Sequence, residues 1–231
     1  MRRAAAGALA ALVAATVVGV VLGSGGQGTP VARDAPVARA LEAVVVRALA
    51  LEQNLGAPAP PGVADPTWAL RGVASVGPAG SPHLARPGRP WVRPDGTVAF
   101  LGAAQAASIL AAQTRELRAL SAGGLRSELL GELRSIVSGE RHSTATLSSP
   151  GGARPVRWFS VTVDGARATV DGYVDTWDER TTVRRSRAGA GTWVASSHVE
   201  VAEVEALATL ERSGGVWRVD SLAQKPYQQA T

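Results

Sequence analysis

Residues 170–179 read VDGYVDTWDE, and steps of two place Asp171, Tyr173, Asp175, Trp177 and Glu179 on one side of a strand. Carboxylates interleaved with aromatic rings are the material of a general acid–base site or of a sugar-binding face. The three histidines, His83, His142 and His198, are the other groups that move protons near neutral pH. They show no close ligand spacing such as H-x-x-x-H, and the chain has no cysteine, so no metal centre, thiol chemistry or cofactor is expected. There is no G-x-S-x-G, and the single lysine, Lys225, lies outside any S-x-x-K setting, which argues against serine acyl-enzyme chemistry. The acid–base candidates are therefore Tyr173, Asp175, His142 and His198, provided the fold brings them together.

Register decides which way these residues face. Asp164-Gly165 separates two alternating runs, a strong hairpin signal, and a two-residue turn there sets Val163 opposite Ala166. Phe159, Val161 and Val163 then share a face with Ala166, Ala168, Val170 and Val174. Trp158, Ser160 and Thr162 share the other with Arg167, Thr169, Asp171, Tyr173, Asp175 and Trp177. Helices are expected over the apolar row, leaving the acid–aromatic row in water. Trp193 to Leu210 reads as a returning strand, with helix as the alternative for VEALATLE. Its apolar parity changes between Val201 and Val204, the mark of a β-bulge. GGVWRVDSL adds a turn and a last strand.

The elements before the strands are helical. Pro36 opens a helix in which Val37, Leu41, Val44, Ala48, Leu51 and Leu55 recur at three- and four-residue steps until Gly56. Its stripe packs on the domain beyond, or forms a coiled-coil contact. A second helix is expected from about Val98 to Leu120, and a third, with Leu125, Leu129, Leu133, Ile136 and Val137 inward, to Gly139. Between them, 57–96 is a Pro/Gly-rich basic linker whose arginines suit a solvated connection or contact with anionic wall polymer. Helices first and strands afterwards define an α+β domain over 97–231.

The amino terminus carries a different signal. After MRR, Ala4 to Leu22 contains no charge, and at about 1.5 Å per residue it approaches the roughly 30 Å of a bilayer core. Residues 1–24 are thus expected to be a transmembrane anchor or uncleaved signal, followed by a spacer and amphipathic helix over 25–56. Arg2 and Arg3 predict a cytoplasmic amino terminus, a single-pass cell-membrane protein and an extracytoplasmic bulk. Ala11, Ala15, Gly19 and Gly23 recur every four residues, as in a helix self-association stripe. The chain of 231 residues is 45% apolar, enough for a core without disulfides. Its pI of 10.8 comes with no basic helix carrying interleaved aromatics and no phosphate loop, so nucleic acid is not an expected partner.

An anchor, amphipathic helices, an antiparallel sheet and the closing GGVWRVDSL resemble the NTF2-like superfamily, in particular membrane-anchored extracytoplasmic actinobacterial members of the Mce-associated or conjugation-component type. The resemblance spans about 97–223 and implies a curved sheet wrapped as a cone around helices. Catalytic members carry Asp, His or Tyr inside the cone, whereas the inward row here is Phe159, Val161, Val163, Val170 and Val174. That departure favours an accessory domain acting by protein contact in an envelope transport or secretion assembly over an enzyme. The alternative is a small-molecule-binding or isomerase-like cone.

Overall fold

The computed structural model describes residues 28–33, 35–57, 100–141, 146–185 and 193–226. In chain order the elements are β1 (Thr29–Pro30), α1 (Pro36–Glu52), α2 (Ala103–Leu120), α3 (Gly123–Arg141), β2 (Thr146–Asp164), β3 (Arg167–Arg185), β4 (Trp193–Ser213) and β5 (Val216–Pro226). The strands form one antiparallel sheet in the order β1-β2-β3-β4-β5, the same as the chain order.

The helix α1 starts at Pro36, whose fixed φ suits the first helical turn. It buries far more than one stripe: Ala38, Leu41, Val45, Val46, Ala48, Leu49, Ala50 and Leu51 are all in the core. A helix apolar over most of its circumference belongs at the centre of a fold. Small residues on the facing strands, Ala153, Ala168, Ala206 and Ala208, let it lie close to the sheet beside Val170, Val174 and Leu210. A second cluster joins Ile109 and Leu117 of α2, Leu133 and Val137 of α3, Leu55, Leu147 and Val183. Helices α2 and α3 meet at Ser121, which bridges to Val219 of β5, while Ala122 N–H donates to the Val219 carbonyl at 2.8 Å.

The hairpin β2–β3 differs from its expected register by two residues. Gly165, at φ 57, and Ala166 form the loop, so Asp164 pairs with Arg167 and Val163 with Ala168. An offset of two preserves parity, which is why Val161, Ala168, Val170 and Val174 do lie in the core. Register shifts between Trp158 and Ser160, Pro155 and Arg157, and Ser149 and Gly152 then break that parity along β2. Phe159 consequently leaves the inner row, and Trp158 packs against the core opposite Gly172. The third strand continues without interruption to Arg185, and Trp193–Ser213 is strand, not helix. No register shift separates β3 from β4. The parity change after Val201 is therefore a change of face and not a bulge: Val201 is 49% exposed, Val204 buried.

Two expectations are corrected here. The NTF2-like cone is not formed: the sheet is open, its edges β1 and β5 are not joined, and the side that a cone would enclose is filled by α1. The membrane-anchored, single-pass assignment is also withdrawn. Among the described residues no helix is long and apolar enough to cross a membrane. The segment 4–22 that carried the assignment lies outside the described residues, as do Ala11, Ala15, Gly19 and Gly23 of the self-association stripe. With the anchor go the cytoplasmic amino terminus, the extracytoplasmic location and the envelope-assembly partner deduced from it. Residues 58–99, nearly all of the basic linker, are likewise outside the described residues.

Candidate functional site: the outer face and free edge of the sheet

The sheet face opposite α1 carries the acid–aromatic row of β3. Asp171, Tyr173 and Asp175 are half-buried there. The Arg154 guanidinium of β2 donates to the Asp175 carboxylate and forms an ion pair with it. Phe159, displaced outward by the bulge, meets Tyr173 edge to face, with ring centroids 4.5 Å apart, and Arg157 stacks over Phe159 at 5.5 Å. Asp171 is held above the usual carboxylate range, first by partial burial and then by Glu205 beside it on β4. Trp177 is 1% exposed even though its row faces outward. Its ring lies over Gly152, the residue opposite it, where any Cβ would strike the indole.

The strand β4 is 21 residues long, and β5 pairs with it only from Val204 to Ser213. From Trp193 to Glu203, no strand among the described residues lies on the side away from β3. The direction of the backbone groups follows from one bond. Arg212 N–H donates to the Ala166 carbonyl at 2.7 Å, so even-numbered residues of β4 face β3. Because the β3–β4 register is unbroken, Val199, Val201 and Glu203 turn their N–H and C=O groups to the open side. The stretch WVASSHVEVAE contains no Lys, Arg or Pro, and no bulge twists it away from β3. Those are the usual devices that blunt an edge strand.

A buried polar knot fixes this end of the sheet. Asn54, just after α1, donates from Nδ2 to the Gly151 carbonyl at 2.9 Å and to the Ala50 carbonyl at 2.6 Å, while its Oδ1 accepts the Gly151 N–H at 2.9 Å. Gln113 of α2 accepts the Gly56 N–H at 2.9 Å and donates to the Asn54 carbonyl at 3.0 Å. These bonds seat the irregular start of β2 beneath Trp177. Two carboxyl groups lie nearby. Burial pushes Glu140, in the last turn of α3, up to about 8, and Glu52, in the last turn of α1, up to about 7. Glu52 accepts a hydrogen bond from Gln224 of β5 at 2.8 Å, which works against its shift, while Glu132 and Glu128 add to it.

Of the four acid–base candidates, Tyr173 and Asp175 are neighbours on β3, but each is occupied, by Phe159 and by Arg154. His198 stands opposite Arg180, five positions along β3 from Asp175, or roughly 17 Å at strand spacing. His142 lies outside the described residues. Glu140, Asn54, Gln113 and the free edge of β4 were not singled out in the sequence. A glutamate in an apolar helix row, after Leu133 and Val137, is the signal that marks Glu140. Among the described residues no group of three or more His, Cys, Asp or Glu is placed to hold a metal ion.

No family model matches the chain, and no curated protein matches it. Among solved structures it is similar to the intermembrane space region of the chloroplast protein ARC6, at 10% identity and a TM-score of 0.32. The match covers 49% of this chain and 78% of that one. A likeness of this extent carries no functional argument. The resemblance to the NTF2-like superfamily is corrected by the open sheet, whose inner side is filled by α1.

Proposed function

We propose that the domain is a non-catalytic peptide receptor, which takes an extended segment of another protein as an added antiparallel strand along β4 between Trp193 and Glu203. The observation that carries this reading is the long, regular edge whose outward backbone groups have no partner strand among the described residues. Strand addition supplies main-chain hydrogen bonds, and side chains at alternate positions select the sequence. Here the flanking chemistry is acidic. Between Trp193 and Glu203 the strand carries Glu200 and Glu203 and no lysine or arginine. Exposed Val201 gives an apolar contact beside this charge. The occupant that complements such an edge is an extended peptide alternating apolar and basic residues.

The test is fluorescence anisotropy with a nine-residue peptide alternating Val and Lys, against one alternating Val and Glu. The first is expected to bind and the second not. Val201→Pro deletes an outward N–H while leaving the β3 ladder, and is expected to weaken binding at least tenfold with the fold retained by circular dichroism. Equal binding of both peptides, or no effect of Val201→Pro, overturns the proposal. So does a stable dimer at the assay concentration that V201P dissolves, which would give the edge to a second copy of the chain.

A further inference from the structure

Glu140 is 1% exposed and occupies a junction of four segments. Its Oε1 accepts the N–H of Ser148, at the start of β2, at 2.7 Å. Its own carbonyl accepts the N–H of Leu101, ahead of α2, at 3.4 Å. Gly56, just beyond α1, backs onto Oε2, where an added Cβ would lie 3.2 Å away. Oε2 has no hydrogen-bond partner among the described residues. Charged groups on the elements around it include Glu52 on α1, Arg115 on α2, Glu132 and Arg141 on α3, Arg154 on β2 and Asp178 on β3. None of them figures among the influences on its titration, which are burial and the bonds from Ser148.

We propose that Glu140 is a pH-sensitive latch: neutral, it holds the end of α3 to the start of β2, and ionised, it releases that junction. A neutral carboxyl group leaves Oε2 with a modest need for partners, whereas a carboxylate there would be a buried charge with one oxygen unsatisfied. Opening the junction to water is the route by which the chain relieves it. The titration falls near pH 8, within reach of ordinary solution conditions. Ser148 lies opposite Arg180 and Arg180 opposite His198, so the latch sits at the end of the sheet that carries the free β4 edge. Its control over that edge rests on the peptide-receptor reading; the latch itself does not.

The test follows the full chain from pH 6 to 9.5 by NMR, reading the side-chain carboxyl carbon of Glu140 and the exchange protection of the Ser148 amide, corrected for intrinsic exchange. The carboxyl is expected to titrate near pH 8, with Ser148 protection falling at least tenfold through the same midpoint. Glu140→Gln keeps a carbonyl acceptor, and its Ser148 protection is expected to stay level. Glu52→Gln is expected to leave the wild-type profile unchanged. A carboxyl midpoint below 6, a level Ser148 profile in the wild type, or the same fall in E140Q overturns the latch. Loss of the fall in E52Q overturns it too, by moving the sensor to Glu52. If E140Q does not fold, the wild-type titration decides alone. Anisotropy with the Val/Lys peptide at pH 6 and 9 reads the edge separately, so failure of the receptor reading leaves the latch result standing.

Discussion

Two side chains, Asn54 and Trp177, show how this chain uses polar and bulky groups where a simple alternation would misplace them. Asn54 is fully buried and supplies both halves of a two-way clamp on Gly151. Asn54→Ala leaves a buried N–H and C=O without partners, at about 1–3 kcal/mol each, and equilibrium denaturation is expected to show a loss of about 3 kcal/mol. Trp177→Ala empties the space over Gly152 and is expected to cost about 3–5 kcal/mol in the same measurement. The converse change, Gly152→Val, drives a side chain into the indole and is expected to destabilise without any loss of contact area. The burial of Trp177 could not be read from its row, because it depends on a glycine pair across the strand and not on local periodicity.

At the scale of elements, what the sequence carried was the three helices ahead of β2 to β5, the two hairpins, and the inner row Val161, Ala168, Val170 and Val174, but not the short β1 before α1. These follow from periodicity and turn chemistry, which are local. The hairpin offset was harmless because two residues restore the same parity. The bulges of β2 were not harmless: they exchanged Phe159 and Trp158 between faces, and put Phe159 instead of Trp158 beside Tyr173. A signal did exist. Pro150 and Pro155 lie at two of the three register shifts, and proline lacks the N–H that a ladder needs. Gly172, by contrast, is set by the close approach of Trp158, and Gly172→Val is expected to lower the melting temperature by more than 5 °C because both the ring and the Arg157 carbonyl stand in the way. The site itself was largely illegible. A free edge is a property of strand pairing across the sheet, which has no local mark in the sequence.

Of the raised carboxyl groups among the described residues, Glu52 and Glu140 are shifted furthest, and they dominate the molecule's response to pH. Glu52 and Glu140 bind protons in the folded state up to about 7 and about 8, whereas in the unfolded chain they release them near 4.5. The folded state therefore holds more protons through that interval, and stability falls as pH rises across it, by up to about 1.4 kcal/mol per pH unit for each group. The stability these groups contribute is complete below about pH 4.5 and lost by the time pH passes 8. Urea denaturation at pH 5.5, 7 and 9 is expected to give a steadily decreasing unfolding free energy, flattened in the double variant Glu52→Gln, Glu140→Gln. The sheet is open: α1 fills its inner side, and β4 from Trp193 to Glu203 has no strand on the side away from β3 among the described residues.

Strand addition at this edge has a residue-by-residue signature. Backbone amide shifts of the full chain, recorded by NMR while the Val/Lys peptide is added, test it most directly. The amides of Val199, Val201 and Glu203, which point to the open side, are expected to move and gain exchange protection, while Glu200 and Ala202, which face β3, change little. Shifts spread evenly over odd and even residues, or confined to the outer row of Asp171, Tyr173 and Asp175, would contradict it.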